Sequence, residues 1–278
     1  MGSVVFYLEI CKTNFGNMGI STIVSTTNLC IGYATDKGVN VIASSLNLNL
    51  LEGNLIALIG ANGVGKSTLL RTLTGIQKPI SGSVELFGKP LVGLDSTAMA
   101  QQISVVLTEN LPPSNLTVFE LVALGRQPYT DWIGRICESD LKVIEWAMEQ
   151  TQIAELRDKK HHEISDGQLQ RVLIARALAQ DTPLIILDEP TTHLDLLHKV
   201  SLLKLLKKLS KETHKCILFS THDIDMAIQL ADELIVMTPH NVVQDQPCNL
   251  ISKGVFDTLF DDDSITFDAT FGKFIISG

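Results

Sequence analysis

An α/β fold built around a parallel sheet is predicted by three features of this 278-residue sequence. Short, wholly apolar runs recur along it: Leu55-Ile56-Ala57-Leu58-Ile59, Leu184-Ile185-Ile186-Leu187, Cys216 to Phe219, and Leu234 to Met237. Strands of that composition are buried on both faces, as in a parallel sheet. Stretches with apolar residues at helical spacing alternate with these runs, the pattern of repeated strand–helix–strand units. The first run leads directly into Gly60-Ala61-Asn62-Gly63-Val64-Gly65-Lys66-Ser67-Thr68, and a helical stretch from Leu69 to Leu73 follows, ending at Gly75.

That glycine-rich stretch matches G-x-x-x-x-G-K-[ST] in the strand–loop–helix setting the pattern requires. Glycines let backbone N–H groups turn toward phosphate oxygens without a Cβ clash. A helix N-terminus adds unpaired donors and partial positive charge. Lys66 is placed to reach the β- and γ-phosphates, and the Ser67 hydroxyl to ligate Mg²⁺. The plainer reading is a ligand-free turn, but its four fixed positions match by chance in roughly one chain in a hundred of this length. The fold expected is therefore of the P-loop type.

Upstream, residues 23–59 read as β-rich, with strands at 28–33, 39–42 and, in the clearest alternation, 46–50. Tyr33 falls in a loop-like Gly-Tyr-Ala, and Glu52-Gly53-Asn54 turns the chain into the cradle strand. Ser81 to Gly88 resembles a strand ending in a turn, and Ile103 to Leu107 another strand. After the loop marked by Pro112-Pro113 and Asn115, helices are expected at Val118 to Leu124 and Leu141 to Met148, with a break at Gly125-Arg126-Gln127-Pro128. This helical insertion, about 110–160, separates two halves of one α/β core. The adjacent His161 and His162 project in different directions on any regular element, so no metal site is expected there.

Ser165-Asp166-Gly167-Gln168 precedes an amphipathic helix, Leu169 to Ala179, and Ser165 with Gln168 has capping-box spacing. The apolar run at 184–187 ends in Asp188-Glu189-Pro190, and the run from Cys216 ends in Ser220-Thr221-His222-Asp223. In an open α/β sheet such strand ends converge on one crevice. Asp188 is then placed to hold Mg²⁺, Glu189 to polarise the attacking water as general base, and His222 to touch the γ-phosphate and the water. Each carboxylate alone could equally be a solvated loop residue or a cap; beside the cradle they point to hydrolysis. Leu202, Leu205, Leu206 and Leu209 form the core stripe of a Lys-rich helix.

Composition narrows the class. Hydrophobic residues are 45% and charged ones 19%, ordinary for a globular protein. The net charge of −9 disfavours a nonspecific nucleic-acid partner. Cys11, Cys30, Cys137, Cys216 and Cys248 are scattered and odd in number, like reduced cytosolic thiols. No apolar run approaches about 18 residues, and the first 20 lack the pattern of a signal peptide. Asp261-Asp262-Asp263 reads as part of a solvated tail.

With the cradle, Ser165-Asp166-Gly167-Gln168, Leu187-Asp188-Glu189-Pro190, Thr192-His193-Leu194-Asp195 and Ser220-Thr221-His222-Asp223 in this order, the sequence resembles the ATPase subunits of ABC transporters from about residue 27 to 240. The resemblance implies a P-loop NTPase (RecA-like) core with an antiparallel β subdomain and an inserted α-helical subdomain. It divides the chain into an N-terminal extension (1–22), the ATPase domain (23–240) and a C-terminal extension (241–278). It implies a head-to-tail homodimer binding two ATP with Mg²⁺, each ATP held by residues 60–68 of one subunit and by Ser165, Gly167, Gln168 and Asp195 of the other. Tyr33 matches the aromatic that stacks on adenine, and Glu109, where the family usually has glutamine, matches a Mg²⁺ ligand. Asp166 stands where the family usually has glycine, and a carboxylate near a γ-phosphate is repelled unless it points away or is neutralised.

The string Leu121-Val122-Ala123-Leu124-Gly125-Arg126-Gln127-Pro128 and the His193-Leu194-Asp195 variant resemble importers of ferric siderophores, haem or cobalamin. The implied setting is peripheral, on the cytoplasmic face of the inner (plasma) membrane, with membrane permease subunits as partners and, indirectly, a substrate-binding protein. Two alternatives are a soluble ABC-type ATPase acting on nucleic acid or ribosomes and a low-turnover regulatory subunit. A single cassette and an acidic balance count against the first; Asp166 and Glu109 keep the second open.

Overall fold

The computed structural model describes residues 21–35, 38–107, 114–259, 265–269 and 271–276. The first described element is β1 (Thr22–Thr35), which pairs antiparallel with β2 (Gly38–Leu46) and β3 (Asn49–Leu51). Tyr33 is therefore in a strand, opposite Asn40, rather than in a loop. After β4 (Leu55–Gly60) and α1 (Lys66–Leu73), β5 (Ser81–Leu86) returns antiparallel to β1, and β6 (Lys89–Pro90) closes the edge. The antiparallel sheet thus has the order β2-β1-β5-β6, with β3 also on β1.

The chain then passes through α2 (Ser96–Ala100) and β7 (Ile103–Val106) into the helical region, α3 (Val118–Ala123), α4 (Glu138–Gln150) and α5 (Asp166–Ala179). Both α3 and α4 pack against α5. The expected break at 125–128 is instead a 3-10 helix, Leu124–Tyr129. It is pinned by Arg126, whose buried guanidinium donates to Asp140 at 2.8 Å and to the Ala179 carbonyl at 3.0 Å. Gly125 permits this approach, because a Cβ there would run into the Arg176 carbonyl of α5.

The second half follows as β8 (Leu184–Leu187), α6 (Leu196–Thr213), β9 (Cys216–Ser220), α7 (Ile224–Leu230) and β10 (Glu233–Met237). With β11 (Val242–Asp245) at one edge, the six-stranded sheet has the order β11-β10-β4-β9-β8-β7, parallel from β10 to β7. The apolar runs are its interior strands, and their residues alternate between two cores. Leu55, Ala57 and Ile59 join the helical side, whereas Ile56 and Leu58 join Val24, Leu29 and Leu48 under the antiparallel sheet. Among the described residues, no helix is long and apolar enough to cross a membrane.

Past residue 240, in the stretch set apart as a C-terminal extension, β11 (Val242–Asp245) pairs antiparallel with β10. Next come α8 (Pro247–Ser252), a 3-10 turn at Val255–Thr258, and a hairpin of β12 (Ile265–Asp268) and β13 (Lys273–Ile276). Leu250, Phe256 and Leu259 are buried in the helical-side core, and Phe256 stacks on Phe267 at 4.6 Å between ring centroids. This segment was not legible as folded because its strands have only four residues each and its aromatics meet from separate elements. Asp261-Asp262-Asp263 lies outside the described residues. Phe256 is 1% exposed, so Phe256→Ala should lower the unfolding free energy by about 3–5 kcal/mol in urea melts; a solvated tail would give a change near zero.

Candidate functional site

Three adjacent strands, in the spatial order β4, β9, β8, run parallel and end at one edge of the sheet. That edge is where open α/β sheets bind ligands. From it, β4 extends into the cradle, β8 into Asp188 and Glu189, and β9 into His222.

The cradle has the backbone its sequence predicts. Gly65, the residue before α1, has φ 112°, and a Cβ there would collide with Ile42 of β2. Conformation and space therefore both demand glycine. Asn62 and Gly63 are exposed, Ala61 and Val64 half-buried, and the Val64 N–H closes a turn onto the Ala61 carbonyl at 3.4 Å. Lys66 is only 6% exposed and folds back, donating to the carbonyls of Gly60 at 2.9 Å and Ala61 at 3.2 Å. Burial pulls its ammonium below the usual lysine range, against the opposing pull of Glu189 and Asp188. Tyr33 stands beside the cradle, 41% exposed, with its hydroxyl hydrogen-bonded to the Thr68 hydroxyl at 2.8 Å.

Opposite lie the acidic groups. Asp188 receives the Ser220 hydroxyl on Oδ1 at 2.6 Å and the Ser67 hydroxyl on Oδ2 at 3.4 Å. Ser220 is fully buried, and its oxygen also accepts the Glu189 N–H at 2.8 Å, so one hydroxyl sets both carboxylate residues. Glu189 sits at φ 47°, a left-handed conformation that costs about 1–3 kcal/mol for a residue with a side chain. Its Oε1 meets His222 Nε2, and its Oε2 accepts the Thr192 hydroxyl at 3.3 Å.

A second group of expected residues gathers elsewhere. Ser165 caps α5: its hydroxyl accepts the Gln168 N–H at 3.3 Å, and Gln168 Oε1 accepts the Ser165 N–H at 3.0 Å. A serine that accepts in this way still has a proton to donate. Asp166, in the first turn, is exposed at the positive end of the helix, where a carboxylate is favoured. Asp195 caps α6 and bonds His198 through both the backbone N–H, at 2.9 Å, and the ring Nδ1, at 2.8 Å. Those bonds, the backbone one foremost, hold its carboxyl below the usual range. The two helix starts are neighbours, since a Cβ at Gly167 would lie 3.5 Å from the His198 ring. Among the described residues, the hydrogen bonds of Ser165, Gln168 and Asp195 stay within these first turns and do not reach the cradle.

Glu109 lies outside the described residues. Among the described residues, no three His, Cys, Asp or Glu side chains are grouped to hold a metal. The pair available is the Ser67 hydroxyl with the Asp188 carboxylate, hard oxygen donors of the kind Mg²⁺ takes with waters and phosphates. Sequence reasoning passed over Ser220 and Thr192, which orient Glu189 and Asp188 rather than carry chemistry. Their only signal was position, immediately before or after the motif residues.

A family model described as ABC transporter matches residues 43–192. The iron(3+)-hydroxamate import ATP-binding protein of Bacillus subtilis is 40% identical, the match covering 80% of this chain and 81% of that one. The ferric enterobactin transport ATP-binding protein of Escherichia coli is 35% identical, covering 84% of each. Among solved structures, a dimeric ATP-binding cassette in a post-hydrolysis state bound to ADP and Pi superposes with a TM-score of 0.69. It is 28% identical and covers 81% of this chain and 99% of its own.

The Ser220 clamp makes a specific expectation. Ser220→Ala leaves the Glu189 N–H without its partner and removes a donor from Asp188. It should cost about 1–3 kcal/mol in urea unfolding, more than a surface Ser→Ala change.

Proposed function

The chain belongs to the ABC transporter family, and from that premise we propose that its ATPase activity drives import of an iron–siderophore complex through a separate membrane permease. The observation that carries the mechanism is the convergence of Lys66, Asp188, Glu189 and His222 at the ends of three adjacent strands. The relatives' names, iron(3+)-hydroxamate import and ferric enterobactin transport, favour an iron–siderophore cargo over haem or cobalamin.

In this reading residues 60–68 wrap the phosphates, and Lys66 exchanges the carbonyls of Gly60 and Ala61 for β- and γ-phosphate oxygens. The exposed Tyr33 ring, anchored through Thr68, stacks on adenine. Ser67 and Asp188 would hold Mg²⁺, with Glu109 as a further ligand. Bound there, the ion would neutralise charge on the phosphates. Glu189 takes a proton from water as the water oxygen bonds to the γ-phosphorus and the bond to the ADP oxygen breaks. His222 fixes the Glu189 carboxylate and faces the γ-phosphate.

The cradle is only half of the site. Ser165, Gly167, Gln168 and Asp195 are ordered by their own helix caps and bond no cradle atom. A head-to-tail second copy would bring them onto the nucleotide, where the Ser165 proton and the α5 N-terminus would meet the γ-phosphate. The dimeric relative with ADP and Pi supports this arrangement. The helical insertion of about 110–160 would face the permease, placing the protein on the cytoplasmic face of the membrane. The ATPase domain is taken as 23–240, extended by the β11 pairing.

Uptake of a ferric hydroxamate into vesicles carrying the chain with its permease tests the cargo; ATP-dependent accumulation is expected, and its absence in vesicles that hydrolyse ATP would overturn the cargo. For the chemistry, Glu189→Gln should lower kcat by about 100-fold or more and elute as a dimer when ATP is present. Wild-type turnover in that variant removes Glu189 from the base role.

A further inference from the structure

We propose that Lys199 is a positioning residue for hydrolysis, acting through Asp223 on the two loops that carry Glu189 and His222. The proposal rests on the ATPase reading above. Asp223 directly follows His222, and its carboxylate reaches two other elements. Oδ1 accepts the Lys199 ammonium at 3.0 Å, and Oδ2 accepts the Thr191 hydroxyl at 3.1 Å. Thr191 is buried and lies two residues after Glu189. Lys199 is in the first turn of α6, where its N–H bonds the Asp195 carbonyl at 2.9 Å. A single carboxylate therefore ties together the loop after β9, the loop after β8 and the start of α6.

The charged pair sits where such a tie is effective. Its side chains are 24% and 25% exposed, so solvent and salt screen it less than an open surface pair. The Asp223 N–H is fixed in turn by the Thr221 hydroxyl at 3.0 Å. The groups downstream need an external restraint. His222 has a side chain 42% exposed, so packing alone does not hold its ring on Glu189. Glu189 occupies a left-handed backbone conformation that persists only when its surroundings over-determine it. Removing the ammonium leaves Asp223 with the neutral Thr191 bond and frees both loops to drift. A misplacement of that kind affects the chemical step more than nucleotide affinity, because neither Lys199 nor Asp223 belongs to the cradle.

Steady-state ATPase measurements on the full chain, alone and with its permease, test this. Lys199→Met is expected to lower kcat about tenfold with KM for ATP unchanged within twofold and the thermal midpoint near wild type. Lys199→Arg, which keeps the charge, should recover most of the rate. In a Glu189→Gln, His222→Ala background Lys199→Met should add no further loss, since both groups it positions are already removed. Unchanged kcat in Lys199→Met overturns the proposal. So does a matching loss of folded protein and of ATP affinity, or a further tenfold loss in the Glu189→Gln, His222→Ala background. A wild-type chain that does not hydrolyse ATP overturns the ATPase reading itself, a result separable from all of these.

Discussion

Strand β4 has no polar side, and the site depends on that constraint. Its residues are fully buried, odd positions in the helical-side core and even positions beneath the antiparallel sheet. A one-residue slip would exchange the two sets, so its register is strongly specified. The backbone hydrogen bonds of β4 are taken by β9 and β10, and the chain leaves the sheet only at Gly60. The cradle is a loop with its entry held by two cores and its exit held by α1. Gly60, Gly63 and Gly65 all take positive φ there, between two flanks that the fold holds in place.

The electrostatics of the strand ends follow from the same geometry. Lys66, Asp188 and Glu189 interact closely enough that the two carboxylates oppose the effect of burial on the lysine. The ammonium is satisfied by carbonyls of its own loop, and the carboxylates by hydroxyls of Ser67, Ser220 and Thr192. Each of those groups is thereby bonded and oriented by the fold itself. Preorganisation of this kind is where much catalytic stabilisation originates, because no reorganisation is needed during reaction.

Helix starts carry the proposed other half of the site. Ser165 and Asp195 each cap a helix, through bonds of 3.0 Å and 3.3 Å at Ser165 and 2.9 Å at Asp195. Structural and functional readings of these residues do not compete. The cap fixes the side chain at a positive helix end, which is where an anion from another molecule would be received. Asp166 fits the same account, since a carboxylate in the first turn is compensated by the helix that carries it.

The sequence by itself determined the features whose cause is local. The cradle, the apolar interior strands and the Ser165–Gln168 cap follow from residue type and spacing, so short windows sufficed to read them. The helical insertion was legible for the same reason, apart from the 3-10 turn at 124–129, which a buried Arg126–Asp140 pair holds in place across the chain. Tertiary structure decided what depends on residues distant in sequence. Asp188 and Glu189 share the Ser220 hydroxyl, 32 and 31 positions away, and Lys199 meets Asp223 across 24. The pairing of β11 with β10 and the meeting of Phe256, Phe267 and Phe274 fold the residues past 240 onto the domain, whereas Asp261-Asp262-Asp263, read as part of a solvated tail, lies outside the described residues. Those strands are too short, and their aromatics too scattered, to leave a periodic signal; only burial against a completed sheet specifies them.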